Sequence, residues 1–390
     1  MNILFYNINF VDPTAGGTER VTYSVACALK KLYGHRIFSL YTTGSPCNEL
    51  FDAYLYCSTC NSTKILSFIT RYHIDVIIVQ GVYTAVKKIR LLMPNNPCRI
   101  IYVHHFEPGW EVEFCTIQDF LSEFKMAGLG NKLKAGVRLA FYPYFRLRYM
   151  SELHIGYKSA YEYSDATVLL CKKFIEAYQR FANISDSSRF HIIPNMLSFD
   201  DFYPIADLKN KQKKVLIVSR MDENPKRISL ALELWKTIKK SKISDGWILQ
   251  IVGDGKDLGR YKRLVEAEDI PQVEFYGKQH PKTFYENASI FFMTSLSEAW
   301  GLTLTEAQQF GVVPVAFDTY ASLRDIITDG VNGYVVKEGD HALYVQRVLD
   351  MMQQETLRMQ LAANAIRDSH RYDSETVGYM WDALLKNLKR

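Results

Sequence analysis

The 390-residue chain has no uninterrupted apolar run of about 18 residues, the length a helix needs to cross a bilayer, so no membrane span is expected. Its first residues, Met1 to Phe10, lack the basic n-region and long apolar h-region of a secretory leader. Cysteine is sparse, seven in all, and Cys57-x-x-Cys60 is a lone CxxC with no second pair at zinc-finger spacing. Cys98, Cys115 and Cys171 lie in apolar stretches and read as small buried side chains in a reducing compartment. No excess of one charge dominates either. The net charge is +5; residues 1–205 carry 21 Lys and Arg against 17 Asp and Glu, and the remainder 26 against 25. A duplex nucleic-acid partner, which calls for a strongly basic face, is not expected. No Asp-x-Asp pair occurs anywhere. That removes one usual carboxylate arrangement for holding a divalent ion on a diphosphate.

Hydrophobic residues, by contrast, make up 48% of the chain and charged residues 23%, as in a globular protein with substantial cores. Short apolar runs at Ile3–Ile8, Ile37–Tyr41, Val76–Val79 and Ile100–Val103 alternate with helix-like stretches such as 19–32, 64–72 and 82–92. The pattern restarts at Val215–Ser219 and continues through Ile248–Val252, Val273–Tyr276, Ile290–Met293 and Val312–Ala316. Strand–helix alternation of this kind predicts parallel sheets covered by helices. The polar stretch 205–213 marks the expected boundary. The expectation is an α/β protein of two Rossmann-like, doubly wound domains, 1–205 and 206–370, facing an interdomain cleft. Ligands then belong at the carboxyl ends of strands.

Several residues fall at such ends. Arg220 follows the strand ending at Ser219, and Lys226 stands just before the next helix. Two cations on one loop can clamp a diphosphate, with Arg adding bidentate geometry; a solvated basic loop is the plainer reading. Glu298 and Glu306 are separated by seven residues, and Gly301 opens a helix between them. A helix N-terminus attracts phosphate, while a helix bearing two exposed acids is the alternative. Gly16-Gly17 follows the first strand, where glycine lets backbone approach a ligand or simply turns the chain. His104 and His105 end the strand at 100–103; strand alternation lets only one of them face a ligand, and a structural role suits either. Gly253-Asp254-Gly255 with Gly259 has its third glycine one position too late for a dinucleotide fingerprint. It is read as a strand-to-helix turn, which disfavours a dehydrogenase.

In order along the chain, these pieces resemble the GT4 family of retaining glycosyltransferases, which have the GT-B fold. The resemblance runs through Gly16-Gly17-Thr18-Glu19-Arg20, the strand-end His and Ile193-Pro194-Asn195. It continues through Val218-Ser219-Arg220 with Lys226, Gly253-Asp254-Gly255 and Val273-Glu274-Phe275-Tyr276-Gly277. It closes with Thr294-Ser295-Leu296-Ser297-Glu298, Gly301 and Glu306. It implies a metal-independent hexosyltransferase with no cofactor, using a nucleotide-sugar donor, UDP-linked by family frequency. A glycan or lipid-linked acceptor in bacterial surface polysaccharide synthesis is implied as well. By the same carry-over, Arg220 and Lys226 hold the diphosphate, Glu298 the sugar and Glu306 the ribose. Gly16, Gly17, Ser219, Gly253, Ser295, Gly301 and Leu302 line the donor site, and Lys278 lies near the base. His105 is preferred to His104 from its spacing to Pro108. Arg227 stands where the family usually has Gly, which leaves open which cation meets phosphate. The last helix, 371–390, is expected to cross back to the first domain, with Ser374 as its cap and Trp381 and Leu384 on its packed face. A GT-B epimerase or hydrolase and a non-catalytic nucleotide-sugar-binding subunit are the alternatives.

Residues 124–151 contain Lys125, Lys132, Lys134, Arg138, Arg146 and Arg148 and no acid, interleaved with Phe124, Phe141, Tyr142, Tyr144, Phe145 and Tyr149. Basic charge with interfacial aromatics fits an anionic membrane surface; an ordinary helical pair with one solvated face fits too. The expected location is cytoplasmic, peripheral at the inner face of the plasma membrane.

Overall fold

Strands that are buried on both faces must be apolar throughout, and most of the runs read above are of that kind; the edge strand at Val273–Gly277 alternates instead. The computed structural model describes residues 1–58, 62–94 and 97–389; Cys60 of the CxxC pair lies outside them. The chain divides into two units, Met1–Ile193 with Met380–Arg390, and Pro194–Tyr379. The change of unit thus falls at Ile193–Pro194, ahead of the charged stretch at 205–213. Within that stretch Ile205–Asn210 is a short 3-10 helix, and its Leu208 is buried in the core of the second unit.

The first unit holds seven parallel strands: β1 (Asn2–Asn9), β2 (Arg36–Thr43), β3 (Ala53–Tyr56), β4 (Val76–Gln80), β5 (Arg99–Val103), β6 (Ala166–Leu169) and β7 (Phe190–Ile192). They lie in the order β3-β2-β1-β4-β5-β6-β7. The second holds β8 (Lys214–Val218), β9 (Ile248–Val252), β10 (Val273–Gly277), β11 (Ile290–Met293), β12 (Val313–Phe317) and β13 (Tyr334–Val336), in the order β10-β9-β8-β11-β12-β13. Each sheet winds outward in both directions from its first strand. The winding reverses between β1 and β4 and between β8 and β11, and loops leaving the carboxyl ends diverge at such switch points. β3, β6, β7 and β13, only three or four residues each, carry too little pattern to be read from the sequence alone.

Local signals set the helix ends. Gly34 adopts a left-handed φ of 65° and closes the helix Gly17–Tyr33 with amide bonds to the Leu29 and Lys30 carbonyls. The last helix, Ser374–Lys389, buries Trp381 and Leu384. Its cap is Asp373, not Ser374: Asp373 Oδ1 accepts the Thr376 amide at 2.7 Å, since the carboxylate stands one residue farther out and reaches the amide three positions on. From Met380 onward this helix belongs to the first unit, where Asp382 meets His35 at 3.0 Å and the Leu388 carbonyl accepts from Arg99.

A close backbone approach shapes the second unit at its switch point. A β-carbon at Gly253 (φ 139°) would lie 1.8 Å from the Ser219 carbonyl oxygen, and one at Gly255 would lie 2.6 Å from that of Met221. The Met221 amide donates to the Asp254 carbonyl and the Asp257 amide to the Met221 carbonyl. The 253–257 turn therefore clamps the 219–221 loop, and only glycine fits the contact. Gly253→Ala is expected to destabilise the protein by about 3 kcal/mol through overpacking. Gly34→Ala, with open space around its missing side chain, should cost only about 1 kcal/mol through its backbone angle. Equilibrium urea unfolding of the two variants measures the difference.

Candidate functional site

The loops leaving β8 and β11 sit side by side at the switch point. The Leu296 amide donates to the Pro225 carbonyl at 2.8 Å, and the Thr294 hydroxyl spans the Lys226 and Arg227 carbonyls at 3.1 Å each. This stitching brings Lys226 Nζ to 2.5 Å from Glu298 Oε1. The Ser295 hydroxyl donates to the same oxygen at 2.7 Å. Glu298 Oε2 receives no hydrogen bond from the described residues. Ser219, Lys226, Ser295, Glu298 and Thr303 line one small concavity here.

The three neighbouring cations have different partners. Arg227, in a left-handed conformation, is tied down: Nε donates to the Thr294 carbonyl at 2.7 Å, and Nη1 and Nη2 grip Glu338 at 2.5 and 3.1 Å. Its fork is occupied by a bidentate carboxylate. Arg220 is largely exposed, its Nε 3.3 Å from Asp222 Oδ2, and Asp222 is shared with Lys256 at 2.7 Å. Lys226, only 19% exposed, faces inward. Arg220 and Lys226 are thus the less committed cations.

Gly301, at φ 88°, caps the helix Leu302–Gln309. Among the described residues the Leu302 and Thr303 amides have no acceptor, as expected for a helix start. Glu306 lies inside that helix and is fully buried, so the reading of two exposed acids does not hold. The Ser198 hydroxyl donates to its Oε1 at 2.6 Å and the Tyr285 hydroxyl to its Oε2 at 3.0 Å. Nothing at sequence level announced Ser198, Tyr285 or Glu338 as partners, because each contact joins loops or helices far apart in the chain. Gly253 is committed to the turn described above, and Lys278 is exposed just beyond β10.

In the first unit both strand-end histidines are buried. His104 belongs to an aromatic core: Tyr102 OH lies 2.9 Å from Nδ1, Tyr157 OH 3.4 Å from Nε2, and Tyr178 meets the ring edge-on. His105 turns to the neighbouring strand end, where Nε2 donates to Gln80 Oε1 beside Gly81. Gly16 precedes the helix Gly17–Tyr33 as its cap residue. A β-carbon there would lie 2.8 Å from Glu19 Oε2, while the other oxygen of Glu19 accepts from Asn9 Nδ2. Gly16 and Gly17 are exposed. Among the described residues no three His, Cys, Asp or Glu side chains form a group able to hold a metal ion.

Residues 199–368, nearly all of the second unit, match the family of glycosyl transferases group 1. The chain is thus similar, over somewhat less than half of its length, to the glycosyl transferases group 1. It is similar to the amylovoran biosynthesis glycosyltransferase AmsD of Erwinia amylovora, 27% identical over 205 residues, 52% of this chain and 55% of that protein. It is also similar to a Campylobacter jejuni alpha-1,4-N-acetyl-D-galactosaminyltransferase named for a diNAcBac-PP-undecaprenol glycan. That protein is 23% identical over 231 residues, 59% of this chain and 62% of the relative. The chain thus spans less than two thirds of the length of either relative. Among solved structures, Anabaena HepE in complex with UDP-glucose superposes with a TM-score of 0.71 at 14% identity, covering 98% of this chain and 99% of that one. The fold is that of the GT-B glycosyltransferases.

Outside the matched residues 199–368, the basic aromatic segment forms parts of three helices, Ile117–Met126, Leu129–Ala140 and Tyr142–Tyr163. Phe120 and Ala135 are buried between them. Met126 (86% exposed), Leu133 (82%), Leu147 (69%) and Phe141 (60%) face solvent with Tyr144. Arg138 and Arg148 are partly neutralised by Glu123 and Glu152, which lie just outside the acid-free stretch. The sequence pattern caught the aromatics but missed Met126, Leu133 and Leu147, the most exposed of the apolar side chains.

Burial lowers the His105 pKa from 6.5 to about 4. Burial, and then the charge of His105, lower that of His104 to about 3. Below about pH 6.5 the unfolded chain takes up protons that the native imidazoles refuse, so native stability falls as pH drops from there towards 4. The slope is about 1.4 kcal/mol per pH unit for each histidine. Unfolding midpoints measured from pH 7 to pH 4 should fall less steeply in His104→Gln than in the unaltered protein.

Proposed function

We propose that the protein is a retaining, metal-independent glycosyltransferase. It moves a hexose from a nucleotide-sugar donor, favoured to be UDP-linked, to a glycan or lipid-linked acceptor in bacterial surface polysaccharide assembly. The observation that carries this is the meeting of Lys226 and Glu298 at the β8/β11 switch point, beside the open amides of Leu302 and Thr303. A departing nucleoside diphosphate develops negative charge on its distal phosphate. Lys226, Arg220 and the N-terminus of the helix Leu302–Gln309 supply fixed positive charge for it. No divalent ion is needed for that neutralisation. Glu298 Oε2 accepts from a sugar hydroxyl and orients the ring. Glu306, fully buried and held by Ser198 and Tyr285, steadies the helix whose start meets the phosphate.

Retention follows from attack on the face the diphosphate leaves. The acceptor oxygen bonds to the anomeric carbon as the carbon–phosphate oxygen bond breaks, and the acceptor proton passes to the leaving phosphate. His105, neutral and hydrogen-bonded through Nε2 to Gln80, keeps Nδ1 as an acceptor for a substrate hydroxyl. The similarity to AmsD, whose name places it in amylovoran biosynthesis, and the fold of HepE, solved with UDP-glucose, support the class of donor and product.

Removing one positive group aimed at a developing charge costs about a hundred- to a thousandfold in turnover. Lys226→Ala is therefore expected to lower UDP release by about that factor, with EDTA leaving the unaltered protein active. Loss of turnover on chelation, or release of UDP that is indifferent to added acceptor, would argue against the assignment.

The exposed apolar side chains of the 117–163 helices, interspersed with Lys132, Lys134, Arg146 and Arg148, form a docking face for an anionic bilayer, where a lipid-linked acceptor resides. Each cation at such a surface contributes about 1 kcal/mol. Replacing these four by Gln should weaken co-sedimentation with phosphatidylserine-containing vesicles at least about a hundredfold. Equal binding of the two proteins would remove the membrane role.

A further inference from the structure

The loop leaving β12 adds a group to this site that no sequence motif marks. It is sewn onto the Glu298 loop: the Thr319 hydroxyl donates to the Ser295 carbonyl at 2.7 Å and the Ser322 hydroxyl to the Ala299 carbonyl at 3.0 Å. Between these anchors stands Tyr320, only 5% exposed. Its hydroxyl is buried and has no hydrogen-bond partner among the described residues. Buried hydroxyls are rarely left in that condition, because the lost water bond is not replaced.

The position of this hydroxyl is informative. A β-carbon built on Gly301 would lie 3.3 Å from it. The hydroxyl therefore lies over the peptide that starts the helix Leu302–Gln309, in space left open because residue 301 has no side chain. The first two amides of that helix, Leu302 and Thr303, have no acceptor among the described residues either. Burial and the nearby Glu298 raise the phenol pKa well above its usual value, so Tyr320 is a neutral donor. A hydroxyl and two amides at the positive end of one helix suit an acceptor with several negatively charged oxygens.

We propose that the Tyr320 hydroxyl binds the distal phosphate of the donor's diphosphate, completing an anion site with the Leu302 and Thr303 amides. This rests on the transferase reading above and adds to it a contact outside the Arg220, Lys226 and Glu298 set. It also fits glycine at 301, where a side chain would crowd the hydroxyl at 3.3 Å as well as strain the backbone.

The test is Tyr320→Phe, which removes one oxygen and keeps the ring. Calorimetric titration is run with UDP and UMP, or with GDP and GMP if the unaltered protein selects guanine. Affinity for the diphosphate should fall about tenfold, as for a lost hydrogen bond to a charged group, while affinity for the monophosphate changes less than twofold. Without ligand, the variant should melt at the same or a higher temperature, because an unpaired buried hydroxyl has been replaced by hydrocarbon. Unchanged diphosphate affinity, or equal losses for the two nucleotides, overturns the Tyr320 assignment and leaves the transferase reading standing. Failure of the unaltered protein to bind any nucleoside diphosphate overturns both.

Discussion

The contact between Lys226 and Glu298 is the interaction on which the rest of the site depends. An ammonium and a carboxylate that are each mostly withdrawn from water must be matched closely, since removing either leaves a buried charge without compensation. The match here comes from backbone. Leu296 bonds to Pro225 and the Thr294 hydroxyl to the carbonyls of Lys226 and Arg227, so the two side chains start from loops that are already joined. Those loops are adjacent because β8 and β11 are neighbours at the point where the winding of the sheet reverses. A cation suited to phosphate and a carboxylate suited to hydroxyls are thereby held within one hydrogen bond of each other.

Around that contact the protein separates structural charges from available ones. Arg227 adjoins Lys226 in sequence, yet its guanidinium closes on Glu338 and the Thr294 carbonyl and so braces the loop. Arg220 shares Asp222 with Lys256 and stays largely solvated. The glycine turn at 253–255 has a comparable supporting part: it presses against Ser219 and Met221 and fixes where Arg220 leaves the strand. Glycine is needed there for packing between two loops of the protein itself, a stricter demand than ligand access alone would make.

The first unit repeats the logic with different chemistry. Its strand-end histidines divide as the alternation of side chains along a strand requires. His104 points into a cluster of Tyr102, Tyr157 and Tyr178, and His105 turns to Gln80 at the end of the neighbouring strand. Both are held neutral by burial. The helices at 117–163 carry the opposite kind of surface, with long apolar side chains left in solvent among lysines and arginines.

Much of the fold was legible in the sequence because its central strands are covered on both faces and leave unbroken apolar runs; β4, β11 and β12 are examples. The fold class, the placing of Arg220, Lys226 and Glu298 at strand ends, and the start of a helix at Gly301 follow from local pattern and from the hydrogen-bonding needs of a helix end. Short edge strands such as β3 and β7 escaped, since three or four partly exposed residues leave neither an unbroken apolar run nor room for periodicity. Which cation is engaged, which histidine joins the core, what holds Glu306 and why Tyr320 matters were decided only by tertiary structure. Each depends on a partner tens of residues away, as Arg227 does on Glu338 and Glu306 on Ser198. Local sequence records what a side chain can bond to, and only the folded chain determines which partner comes within reach.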